Sequence, residues 1–197
     1  MALKSFHLTL LNDKVRLLYF LVLGIFVLAI LKTISKQRWS WLLLAASALS
    51  LELCALYFQH VMRLEPCVMC VYERLAMLGI LFAGLIGASA PKSVLIRLTA
   101  FLLWGISAVW GTLLAIQHTD YQMHPSPFFT CDFFPNFPSW APLHEWLPWL
   151  FNPTGDCSDI VWKFLDYSMP QWLIVSFSIY TLLFVIVAIS SMFKNKV

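Results

Sequence analysis

Four apolar stretches, each long enough to cross a bilayer as a helix, leave this chain few ways to fold: Trp39 to Phe58, Leu75 to Ala90 (begun a turn earlier at Val71), Val94 to Ile116, and Trp172 to Met192. At 1.5 Å per residue such lengths match a hydrocarbon layer of roughly 30 Å. The first is interrupted only by Ser40, Ser47, Ser50 and Glu52. Composition agrees, with 60% hydrophobic and 12% charged residues in a chain of 197 and a mean hydropathy of +0.78, well outside the balance of a soluble domain. The expected fold is an all-α integral membrane protein with a four-helix transmembrane bundle.

A fifth apolar segment, 17–31, would reach only about 22 Å as a helix, short of the hydrocarbon layer unless the bilayer thins or Val15 and Ile34 help. Lys14, Arg16, Lys32 and Lys36 bracket it, which is not the charge profile of a cleaved signal peptide. It is expected to be an additional N-terminal span, with an interfacial or re-entrant helix as the alternative. The chain thus divides into an extension, residues 1–37, and a membrane domain, residues 38–197. The domain has spans at about 39–58, 71–90, 94–116 and 172–192, joined in part by loops 59–70 and 117–171.

Charge sets the orientation. Lys32, Lys36 and Arg38 precede the first main span, Lys92 and Arg97 mark the second-to-third connection, and Lys194 and Lys196 follow the last. These are cytoplasmic ends by the positive-inside rule. The opposite side carries Arg63, Lys163 and a run of acidic residues from Asp120 to Asp166. The net charge of +3 follows from this asymmetry and gives no reason to invoke nucleic acid.

Both outward loops carry cysteine pairs, Cys67 with Cys70 and Cys131 with Cys157, while Cys54 lies inside the first span as a small hydrophobe. In an oxidising compartment each pair can exist as a disulfide. Pro66 is a candidate first residue of the next helix, which would place the C-x-x-C at a helix N-terminus that favours a thiolate. Arg74, four residues past Cys70, lies on the same face, where a guanidinium lowers a thiol pKa further. The plainer reading of Arg74 is a residue that snorkels or pairs with Glu73.

A bridge between Cys131 and Cys157 would close a long Pro- and aromatic-rich loop, worth about 3.5 kcal/mol as a structural staple. Thiolate exchange between the two pairs would instead make a relay. A four-thiolate zinc site lacks its second C-x-x-C half, so no metal is expected. Glu52, a carboxyl within a span, is a functional candidate without an assigned role. Trp140, Leu143, Trp146, Leu147, Trp149, Leu150 and Phe151 form an amphipathic stretch suited to the outer interface.

The chain from Trp41 to Lys194 resembles the DsbB family of bacterial inner-membrane disulfide bond formation proteins. The resemblance rests on Leu51-Glu52-Leu53, Tyr57-Phe58-Gln59-His60, Pro66-Cys67-Val68-Met69-Cys70-Val71-Tyr72-Glu73-Arg74, Pro125-Ser126-Pro127-Phe128-Phe129-Thr130-Cys131-Asp132, Gly155-Asp156-Cys157 and Met169-Pro170-Gln171-Trp172. The N-terminal extension and Cys54 depart from the family pattern.

The resemblance implies a mechanism. A reduced periplasmic DsbA-type thiol oxidase would attack Cys131, a Cys157–Cys67 disulfide would link the loops, and Cys70 would be the thiolate that passes electrons to ubiquinone or menaquinone. Arg74 would stabilise the thiolate and the quinone headgroup. By matching position, His118 and Gln122 would be further quinone-site residues; a third helix running one turn past Ile116 would put them on one face before Pro125. Two other readings remain. A vitamin K epoxide reductase-like enzyme would be expected to carry its quinone-proximal C-x-x-C late in the chain, and a non-catalytic membrane protein could carry purely structural disulfides.

Overall fold

The computed structural model describes residues 36–125, 131–132 and 134–192. The hydrophobic segment 17–31 and the motif residues 126–130 lie outside the described residues. Four long helices, each long and apolar enough to cross a membrane, form an all-α membrane bundle: α1 (Arg38–His60), α2 (Val68–Ser89), α3 (Val94–Met123) and, after the long loop, α6 (Met169–Met192). Two single-turn helices, α4 (Leu143–Trp146) and α5 (Pro148–Phe151), lie in that loop. A two-residue hairpin, β1 (Lys163–Phe164) and β2 (Tyr167–Ser168), closes it with Phe164 opposite Tyr167. Leu165 and Asp166 both have positive φ, the backbone that a tight two-residue hairpin turn demands.

The helix ends differ from the expected boundaries for local reasons. Pro66 is not the first helical residue, because Cys67 is the N-cap and α2 begins at Val68, three residues before the expected Val71. Its sulfur accepts the Cys70 N–H at 3.3 Å, doing the work of a capping oxygen. Helix α3 continues past Ile116 to Met123, beyond the expected end of its span, so the loop begins at His124 rather than 117. Polar side chains alone do not stop a helix, and Pro125 is the first residue that does. Helix α6 starts at Met169, three residues before Trp172, where Gln171 reaches back to accept the Ser168 N–H at 2.8 Å, one half of a capping box.

Helix α2 packs against α1 and α3, and α3 against α6. Since lipid offers apolar side chains no hydrophobic reward for pairing, close packing at small residues holds such a bundle together. Ala48, Ala76, Ala83, Ala100, Ala108 and Ala115 are buried in its centre. Gly84 lets α1 and α2 touch through their backbones, since a Cβ there would lie 2.7 Å from Ala45 N and 2.8 Å from Trp41 O. At Gly111 of α3 the neighbour is a side chain instead: the ring of Phe177 from α6 occupies the space where a Cβ would stand. Polar side chains add cross-links: Tyr180 donates to Ser47 at 3.0 Å, and Thr112 and Thr181 hydroxyls meet at 3.2 Å. Arg38 donates to the Ala88 and Ser89 carbonyls at the C-terminus of α2, where a cation complements the helix dipole. Leucines such as Leu43, Leu102, Leu113 and Leu182 stay exposed on the outside of the bundle, the surface that lipid would cover.

Gly84→Val should therefore wedge α1 from α2. Its thermal unfolding midpoint in detergent is expected to fall, with a cost of about 1–3 kcal/mol typical of overpacking; an unchanged midpoint would contradict this backbone contact.

Candidate functional site

All four loop cysteines gather at one end of the bundle. Cys131 and Cys157 form a disulfide with Cα atoms 6.0 Å apart. Cys67 and Cys157 are buried in a single cluster with Met69 and Leu114, against which Cys70, Tyr72, Tyr121 and Cys131 also pack. The two pairs are thus neighbours in space. Backbone contacts hold them so: the Thr154 and Gly155 N–H groups both donate to Pro66 O, at 2.8 and 3.0 Å. A Cβ at Gly155 would lie 2.6 Å from Glu65 O, so glycine lets the loop run directly against the turn that carries Cys67. Beyond it, Asp156 accepts from the Ser158 backbone N–H and hydroxyl, which holds its carboxyl below the usual carboxylate range and fixes the turn around Cys157.

The Cys67 and Cys70 sulfurs lie 2.9 Å apart and are not bonded. Their surroundings differ. Cys67 is 2% exposed and touches His118 Nε2 at 3.4 Å. The adjacent Cys70 sulfur, and then burial, hold the Cys67 thiol well above the ordinary thiol range. Cys70 is half-buried and opens onto a cleft that Cys67 does not line. The other ring nitrogen of His118, Nδ1, lies 3.1 and 3.2 Å from the two oxygens of Glu73, itself 2% exposed. An Nδ1–H donated to that carboxylate leaves the Nε2 lone pair aimed at Cys67.

The cleft lies among α1, α2 and α6 and measures about 90 Å³, room for more than a single water. Leu51, Ala55, Phe58, Met77 and Leu173 supply apolar walls, while Cys70, Arg74, Glu52 and Gln59 bring polar atoms to it. Arg74 does not pair with Glu73. Its Nε forms an ion pair with Glu52 at 3.0 Å, and one terminal nitrogen donates to Gln59 at 2.7 Å and to the Leu150 carbonyl. Glu52, without a role in the sequence, is the counter-ion that a guanidinium buried at this depth requires.

Leu150 belongs to the aromatic loop stretch, which is amphipathic as expected. Leu150 and Phe151 are buried with Val71, whereas Trp140, Trp146 and Trp149 are exposed. Gln59 also donates to Trp149 O at 3.3 Å, so this loop roofs the Arg74 network. His118 sits against Cys67, on the flank away from the cleft, and Gln122 donates to Asp159 O at 3.1 Å. Neither lines the cleft with Arg74. Cys54 is free and exposed on α1. Glu73 and Gln59 are the site residues that sequence reasoning missed. Glu73 could have been found from its position three residues past Cys70, on one helical face with it.

These features define an α-helical, multi-pass membrane protein with a dithiol and a disulfide packed side by side at one end of its bundle. The chain belongs to the DsbB family: residues 37–187 match the family described as Disulfide bond formation protein DsbB. It is 86% identical over 180 residues to Disulfide bond formation protein B of Psychromonas ingrahamii, covering 91% of this chain and 97% of that protein. It is also 58% identical over 166 residues to the protein of the same name from Aeromonas hydrophila (84% of this chain, 96% of that one). With that of Vibrio cholerae it shares 54% over 170 residues (86% and 98%). Membership makes it a disulfide oxidoreductase acting in disulfide bond formation.

Glu52→Gln should leave Arg74 buried without its counter-charge and cost about 3–5 kcal/mol, whereas Glu52→Leu with Arg74→Met should recover most of that loss. Unfolding of the detergent-solubilised proteins measures both, and a single variant as stable as the parent would contradict the pairing.

Proposed function

We propose that this protein reoxidises a periplasmic DsbA-type dithiol protein and passes the two electrons to a membrane quinone. The observation that carries the reading is the asymmetry of the first pair: Cys67 faces the second pair and His118, while Cys70 faces a cleft edged by Arg74. The residues present fit a quinone. An apolar cleft with a cation and an amide at its polar edge suits a ring with carbonyl oxygens and an isoprenoid tail, and the quinone, once bound, supplies a two-electron, two-proton acceptor.

The protein's own steps are thiol–disulfide exchanges. A partner thiolate attacks Cys131 Sγ, breaking the Cys131–Cys157 bond and releasing Cys157 as a thiolate. Cys157 attacks Cys67 of an oxidised first pair, so that Cys70 leaves as a thiolate. The partner's second thiol then displaces Cys131, which in turn attacks the Cys157–Cys67 bond and restores Cys131–Cys157. The two electrons now rest on Cys67 and Cys70 as a dithiol. Arg74 holds the cleft positive beside Cys70, and His118, oriented by Glu73, accepts the Cys67 proton. When the pair closes again, its two electrons leave through Cys70 by the cleft. His118 and Gln122 support the quinone site from the dithiol's other flank, through Cys67 and through the Asp159 backbone.

The proposed organisation is an extension, residues 1–37, on one membrane domain, residues 38–197. Its proposed location is the bacterial inner membrane with the cysteines toward the periplasm, as Arg38, Lys92 and Arg97 at the opposite end favour. Purified protein mixed with a reduced DsbA-type partner and a ubiquinone analogue should bleach the quinone absorbance. Cys70→Ser should reduce turnover to background. Cys131→Ser should abolish partner oxidation while leaving the first pair reactive with quinone. Undiminished turnover in Cys70→Ser would overturn the proposal. Arg74→Gln should raise the KM for quinone roughly tenfold or more, as expected for losing a hydrogen bond from a charged group, about 1.5–3 kcal/mol.

A further inference from the structure

The reduced dithiol and His118 form a second kind of centre. One ligand atom from each of Cys67, Cys70 and His118 lies within 4.8 Å of the other two. Cys67 and His118 are buried. The sequence argued against zinc because a second C-x-x-C is missing. The third ligand comes instead from α3, through a contact between residues 51 apart that no local spacing can reveal.

Three properties distinguish this cluster from a chance gathering of thiols. First, the donor set of two thiolates and one imidazole is one that zinc and similar thiophilic cations prefer, and three protein ligands leave one position open. Second, Glu73 holds His118 through Nδ1 at 3.1 Å, so Nε2 is the nitrogen offered. That is the carboxylate–histidine support commonly found behind ligating histidines. Third, the spacing needs little adjustment. Bonds of about 2.3 Å to sulfur and 2.0–2.1 Å to nitrogen in a tetrahedron put sulfurs about 3.7 Å apart and sulfur and nitrogen about 3.5 Å apart. The observed separations are 2.9 Å and 3.4 Å. The sulfurs must part by less than about 1 Å, and Cys70 Sγ, within 4.8 Å of the His118 ligand nitrogen, must close on it by no more than about 1.3 Å.

We propose that, in the reduced state, Cys67, Cys70 and His118 bind one thiophilic divalent cation of the zinc class, with Glu73 as the positioning residue. Binding releases two thiol protons to solvent and transfers no electrons. It requires the Cys67–Cys70 bond to be open, because a disulfide has no thiolates to offer. If the protein works as proposed above, the cation also holds the dithiol out of the relay, although binding itself does not depend on that reading.

Cobalt(II) is the probe, titrated anaerobically into detergent-solubilised protein carrying Cys54→Ser, Cys131→Ser and Cys157→Ser. Cys67 and Cys70 are then its only cysteines. The reduced protein should take up one equivalent, with a sulfur-to-cobalt charge-transfer band and tetrahedral visible bands that zinc displaces, and the oxidised protein should take up none. His118→Ala should weaken binding at least tenfold, and Glu73→Gln 10–100-fold, the usual effect of removing such a support. Absence of the thiolate band in the reduced protein would overturn the proposal. So would full affinity in both variants, which would mean that the dithiol binds metal alone.

Discussion

The arrangement of the site depends on one buried cation. Arg74 lies on a membrane helix, 6% exposed, and a guanidinium there is tolerated only with its charge matched and its N–H groups bonded. The partners come from different parts of the chain: Glu52 and Gln59 from α1, and the Leu150 carbonyl from the aromatic loop. Meeting that one electrostatic demand pins α1 to α2 and draws the loop down over both. The cleft beside Cys70 is the space that remains. Such an arrangement is possible because Gly84 and the buried alanines let the helices approach closely enough for these side chains to meet.

The dithiol takes its two faces from this geometry. On one side Cys67 is packed with Cys157 and touches His118, whose orientation Glu73 sets. On the other, Cys70 opens to the cleft. The capping turn separates the two cysteines into these environments, since Cys67 precedes α2 while Cys70 is already inside its first turn. A loop disulfide with only a structural role would have no need to be packed against a second cysteine pair, and the hydrogen bonds from Thr154 and Gly155 to Pro66 maintain that packing.

The spans were legible because hydrophobic length is a local property of sequence, and Cys67, Cys70 and Arg74 because their spacing lies within one helix. Boundaries were less so. Hydropathy ended α3 near Ile116, while the hydrogen-bonding backbone continued to Met123 until proline intervened. Partnerships between helices were not legible at all. Glu52 stood out as a carboxyl in a span, but its pairing with Arg74 joins residues 22 positions apart in chain order, and His118 finds Glu73 across 45. The same limit made Glu73 look like a neighbour for Arg74 and Gln122 like a companion of His118. In the folded protein Glu73 pairs with His118, Arg74 with Glu52, and Gln122 with the Asp159 backbone.

The central claim is that two cysteine pairs, distant in sequence, act as one relay because Cys67 and Cys157 are packed together. The most direct measurement is peptide mapping of disulfides in membranes carrying Cys70→Ser and Cys131→Ser, which leaves these two sulfurs without their usual partners. The account predicts a Cys67–Cys157 disulfide in near-stoichiometric yield. Free thiols at both positions under oxidising conditions would contradict it.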